Sequence, residues 1–159
     1  MSLQTAKDLT RECPRGPFDT LGGYPWLPRL VDKVRAMLAG TLGDYVPFPC
    51  PADQRFLTAV GITPAAMRDR LQAGAGDAEV LAWVTRQASP ETEARLRAFR
   101  DYLEAPSRPE REPALQAAKA VLAAARPDLD LSGVDSFISL ICVEEGHALP
   151  QCDPGPREG

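Results

Sequence analysis

The chain has 159 residues, 44% hydrophobic and 25% charged, with a formal net charge of -4. Length and composition suit one globular domain able to bury a core, which excludes wholesale disorder, and the mild acidity speaks against a general nucleic-acid binder. Charge is unevenly spread: residues 1–60 hold seven Lys+Arg against six Asp+Glu, and the remainder holds eleven against sixteen. Arginine outnumbers lysine 15 to 3, and alanine and proline are plentiful, a composition associated with GC-rich bacterial genomes.

The opening MSLQTAKDLTRECPRG has no apolar core segment, so no signal peptide is expected. No apolar run approaches the ~18 residues of a membrane span. Cys13, Cys50, Cys142 and Cys152 are far apart and form no Cys-x-x-Cys. Without a secretory signal they are expected to be thiols in a reducing cytoplasm.

Residues 1–20 read as an irregular arm, because Pro14, Gly16 and Pro17 prevent a regular element. The first helix begins near Trp26, where Leu27, Leu30, Val31, Val34, Met37 and Leu38 recur at helical spacing. Pro28 is tolerable only in its first turn, and Gly40 and Gly43 end it. Tyr45–Pro51 is too rich in proline for a central strand and reads as a stiff extended connector. A second helix spans Ala52 to about Val60. Thr63-Pro64 opens a third, an N-cap followed by Pro at the first helical position, and Gly74 ends it. Asp77 reads as the cap of a fourth, and Ser89-Pro90-Glu91 as the start of a fifth with Leu96, Phe99 and Leu103 in the core. Ala105–Pro113 is a polar, proline-rich linker before an alanine-rich sixth helix, Ala114–Ala125. Phe137–Val143 is ambiguous between helix and strand on periodicity alone. Helix is favoured, since Ser132 with Asp135 resembles a capping box. Residues 151–159 read as a disordered tail. The expected fold is all-α: one compact domain over 21–150 of six to seven short helices with Pro/Gly-rich connectors.

The segment Leu21–Ile62 combines polar variety with backbone constraint and is where a site is expected. The series PRLVDKVRA, AGTLG and CPADQ within it, with VDSFISLICVEEG near the far end, resembles family 5069 of the bacterial domains of unknown function over about residues 8–147. The resemblance implies a small, stand-alone bacterial domain and transfers no catalytic residue.

The first helix places Arg29, Asp32 and Lys33 opposite its apolar stripe, with Arg35 to one side. Arg29 and Lys33, four residues apart, repel unless something negative lies nearby. One reading is a cationic pocket for a carboxylate or phosphate. The other, favoured because ion-pair networks are as common as active sites, is a structural network tying this helix to acids elsewhere. Glu144 and Glu145, where a helix dipole disfavours negative charge, are plausible partners, or they simply face water. Cys50 at a helix start could have a depressed thiol pKa, with Asp53, Gln54 and Arg55 orienting a substrate. Against that, Asp53 would push the thiol up, and a buried structural cysteine is the better reading. Cys142, His147 and Cys152 are too loosely spaced for structural zinc, so no metal is expected, and no cofactor. The glycine pairs do not match a phosphate-binding loop.

Three functions follow. The first, preferred because no complete set of nucleophile, base and orienting group is present, is a cytoplasmic, non-enzymatic module. It would bind a protein partner or small anionic ligand through the Arg29/Asp32/Lys33 face. The others are a thiol redox enzyme or sensor at Cys50 and a structural homo-oligomer. Neither nucleic acid nor membrane is an expected partner.

Overall fold

In the computed structural model, residues 6–150 are described, and the tail at 151–159, with Cys152, lies outside them. Residues 6–19 hold no helix or strand. They lead into a two-strand antiparallel hairpin, β1 (Thr20–Leu21) and β2 (Tyr24–Pro25), with Leu21 opposite Tyr24. Gly22 and Gly23 turn it with φ of 56° and 85°, a pair of left-handed residues that glycine adopts without steric cost and that matches strand twist. The sequence reading had not anticipated this hairpin.

Seven helices follow among the described residues: α1 (Leu27–Ala39), α2 (Pro51–Val60), α3 (Pro64–Gln72), α4 (Asp77–Arg86), α5 (Thr92–Glu104), α6 (Glu112–Ala125) and α7 (Phe137–Glu145). Among the described residues the fold is therefore all-helical apart from the hairpin and a single 3-10 turn at Pro109–Arg111. Within the expected linker, that turn runs directly into α6. Contacts divide the chain into two compact units that meet in sequence at Leu103 and Glu104.

In the first unit, α1 is buried on every side from Leu27 to Ala36 and packs against α3. Leu27, Leu30, Val31 and Val34 join Phe56, Leu57, Val60, Met67, Val80 and Val84 in a fully buried core. Leu38, expected inside, is only half-buried. Local chemistry explains the helix starts. Cys50 caps α2 ahead of Pro51, and Thr63 caps α3 by accepting from the Ala66 N–H at 3.1 Å. Asp77, expected as a cap, is instead the first residue of α4, and the cap position is Gly76. Its carboxylate is thereby released for the contacts described below.

In the second unit, Leu115 and Leu122 of α6 pack with Val134 and Leu140. Phe137–Val143 is helical, as expected, but its cap lies four residues beyond the one anticipated. Ser136 Oγ accepts from the Ser139 N–H at 3.0 Å, and Ser139 Oγ accepts from the Ser136 N–H at 2.9 Å. This reciprocal pair is a capping box built from two serines.

Candidate functional site

The polar face of α1 does not reach solvent. Arg29, Asp32, Lys33 and Arg35 are exposed by only 3%, 2%, 4% and 6%. Burial of so many charges is tolerable only where each is paired and hydrogen-bonded. Among the described residues, no buried side-chain nitrogen or oxygen lacks a partner.

Two clusters provide the pairing. In the first, Lys33 Nζ meets Asp53 Oδ2 at 3.1 Å and Cys50 Sγ at 3.4 Å. Asp53, wholly buried in the first turn of α2, accepts also from the Trp26 indole N–H at 2.7 Å and the Cys50 N–H at 2.9 Å. Trp26 stands in the left-handed region at φ 71°, rare for a bulky residue, and the indole bond together with near-complete burial holds it there. In the second cluster, Arg15 chelates Asp32 through both Nε (3.1 Å) and a terminal nitrogen (2.9 Å), while its own backbone N–H donates to the same carboxylate at 2.8 Å. The other terminal nitrogen of Arg15 reaches Asp77 at 2.8 Å, and Arg35 reaches that carboxylate at 2.7 Å and the Ala75 carbonyl at 3.0 Å. Arg29 donates to the Arg15 carbonyl at 3.2 Å, and its guanidinium lies over the rings of Trp26 at 5.5 Å and Tyr45 at 5.8 Å.

The sequence-derived candidates are thus partly assembled. Arg29, Asp32, Lys33, Arg35, Cys50 and Asp53 come together in the first unit, and the acids answering Lys33 and Arg35 are Asp53 and Asp77. Glu144 and Glu145 stand in the last turn of α7 in the second unit, where Glu145 lies 3.4 Å from His147 Nε2. Gln54 faces outward from α2, its amide donating to the Pro49 carbonyl at 3.3 Å. Arg15 was not singled out, because it sits in what reads as an irregular arm. The available signal was its confinement between Pro14 and Gly16-Pro17, which gives a non-helical residue a fixed direction.

Of the two readings of Cys50, its surroundings favour the structural one over the activated thiol. Burial pushes the Cys50 thiol above its ordinary pKa, and the Asp53 carboxylate adds to this. The Lys33 charge and the Asp53 backbone N–H pull the other way and do not prevail. The Sγ serves instead as the acceptor of a helix cap, at 3.5 Å from the Asp53 N–H. Site-resolved alkylation of Cys50 against pH is therefore expected to give an apparent pKa above the ~8.5 of a free cysteine. A lower value would restore the activated thiol.

Asp77 behaves oppositely. Burial works to raise its pKa, but hydrogen bonds from Arg15 and Arg35, with their charges, outweigh it and hold the carboxyl below its ordinary value. A depressed folded-state pKa gives stability that is present above the unfolded value of ~3.9 and lost as pH falls through the folded one. The stability gap between the wild type and Asp77→Asn should therefore be open at neutral pH and close below about pH 4 in urea titrations. A gap that does not vary with pH would contradict this.

On the outer side of the first unit, α2 and α5 border an open groove of about 660 Å³. Its polar lining is Gln54, Arg55, Thr58, Arg95 and Tyr102, and its apolar lining is Pro51, Ala59, Ala98 and Phe99. Phe56 and Phe99 meet edge to face at 5.7 Å, Phe99 stacks with Tyr102 at 6.0 Å, and the Arg55 guanidinium lies over the Tyr102 ring at 4.4 Å. Sequence reasoning named only Gln54 and Arg55 here. Arg95 was not singled out: the fifth helix was read only for its core positions Leu96, Phe99 and Leu103.

No group of three or more His, Cys, Asp or Glu side chains converges as a metal site among the described residues. No helix among them is long and apolar enough to cross a membrane. The chain is a small helical protein with ion pairs buried around one central helix and a separate open groove. A family model described as a domain of unknown function (DUF5069) matches residues 11–147, and the chain belongs to that family. No curated protein matches it.

Proposed function

We propose that the protein is a non-enzymatic bacterial module of the cytoplasm that binds a small anionic ligand, and that the ligand occupies the α2–α5 groove. The charged face of α1 is closed to such a ligand by burial and by its internal partners. The single observation that carries the proposal is that Arg55 and Arg95 both line the groove while no carboxylate does. A concave surface with a few convergent polar groups on an apolar lining is the usual form of a ligand site. The raised thiol pKa of Cys50 gives the redox alternative no support.

The test is ligand-observed NMR with a mixed panel of carboxylates and phosphates. At least one anion is expected to show saturation transfer from the wild type and to lose it with the Arg55→Gln/Arg95→Gln variant. Both arginines are exposed, so the variant's thermal midpoint should scarcely change. Signals that persist in the double variant, or none from any anion, would refute the proposal.

A further inference from the structure

We infer that the groove selects an organic anion built from a fork-binding acid head, carboxylate or phosphate ester, on an apolar body several carbons long. This inference rests on the anion-binding reading above and narrows it.

The head follows from the geometry of Arg55. Its guanidinium carbon lies over the Tyr102 ring, 4.4 Å from the centroid, and Tyr102 stacks in turn with Phe99. A guanidinium held against a ring by its charge keeps N–H donors in a planar fork, and such a fork pairs with two oxygens of a carboxylate or phosphate. The ring contact also restricts the side chain before a ligand arrives, which reduces the ordering cost of binding. Arg95 lines the same groove from α5. The acid one turn before it, Glu91, is hydrogen-bonded by the Ser89 hydroxyl at 2.8 Å and feels the Arg95 charge, but it is not part of the lining.

The body follows from size and lining. A bare oxyanion is only a few times the ~30 Å³ share of one water molecule. The groove holds about 660 Å³, inside the ~300–1,000 Å³ range of sites for drug-sized molecules. Beside Gln54 and Thr58, the remaining lining includes the apolar Pro51, Ala59, Ala98 and Phe99, and an inorganic ion would leave that apolar part wet and unused. A chain or ring attached to the acid removes that surface from water.

Calorimetric titration of the full chain with octanoate, octyl phosphate, acetate, inorganic phosphate and octanamide tests this. Octanoate or octyl phosphate should bind at least about tenfold more tightly than acetate or inorganic phosphate, and octanamide should bind about tenfold more weakly than octanoate. The order of the two eight-carbon anions decides between carboxylate and phosphate ester as the head. Ala98→Trp, at an exposed position that fills the groove, should abolish binding while leaving the thermal midpoint in place. If acetate or inorganic phosphate binds as well as the long anions, the body is refuted and the anion reading survives. Octanamide binding as tightly as octanoate refutes the acid head and the anion reading with it, and so does no binding at all.

Discussion

Replacing Asp53 with alanine is expected to cost about 3–5 kcal/mol, the usual effect of leaving one member of a buried ion pair alone. Asp53 is wholly buried and receives Lys33, the Trp26 indole and the Cys50 N–H. Its loss leaves the buried Lys33 ammonium without its counter-charge, and it also removes half of the α2 capping box and the hydrogen bond that restrains the left-handed Trp26. Against a total stability of ~5–15 kcal/mol, this is a large fraction. Lys33→Met added to Asp53→Ala should recover part of the loss, since the uncompensated charge disappears and only the smaller cost of unpaired N–H groups remains. Urea unfolding of the four proteins in this cycle measures both effects. An Asp53→Ala cost below about 1 kcal/mol, or a double variant as unstable as the sum of the singles, would show that the pair is not a buried one.

Gly43→Val is the second large effect, expected at about 2–3 kcal/mol. Gly43 has φ 62°, in the left-handed region that a β-branched residue avoids, and a Cβ there would lie 3.1 Å from the Leu9 carbonyl oxygen. The close approach is built in. The arm crosses behind this turn, with the Leu9 N–H donating to the Thr41 carbonyl at 2.9 Å and the Thr41 hydroxyl to the Lys7 carbonyl at 3.1 Å. Straining the turn therefore loosens the arm that carries Arg15 to Asp32. Gly76→Ser is the control: its φ is ordinary, nothing lies within 4 Å of a Cβ, and serine improves an N-cap. Equal thermal midpoints for the two variants would mean that the segment around Gly43 is not constrained.

Much of the helical fold was legible because helix starts are local chemistry. Thr63-Pro64 and Cys50-Pro51 declare themselves in two residues, and the period of Leu27, Leu30, Val31 and Val34 declares α1. Phe137–Val143 is instructive in another way: the helix was anticipated, but from Ser132 and Asp135, whereas Ser136 and Ser139 form the box. A cap motif is short enough to recur by chance within a few residues of itself. The hairpin escaped notice because two-residue strands offer no alternation to read, leaving Gly22-Gly23 as the one signal.

The site was legible by halves. Helical spacing collects Arg29, Asp32 and Lys33 onto one face, but it says nothing of what packs against that face. Lys33 finds Asp53 20 residues away, Arg35 finds Asp77 at a separation of 42, and Arg15 reaches Asp77 across 62. Such pairings are decided by tertiary packing. The groove was hidden for the converse reason. Arg95 and Tyr102 look like ordinary residues of an amphipathic helix, Arg55 stands out only beside Cys50, and only the approach of α2 to α5 turns them into one lining.

The division of labour between the buried α1 network and the open α2–α5 groove is tested most directly by amide chemical-shift mapping of the labelled protein during titration with octanoate or octyl phosphate, whichever binds more tightly. Saturable shifts are expected to centre on Gln54, Arg55, Thr58, Arg95, Ala98 and Tyr102, with Arg29–Arg35 of α1 little affected. Shifts centred on Arg29–Arg35, or no saturable shifts in either place, would contradict the account.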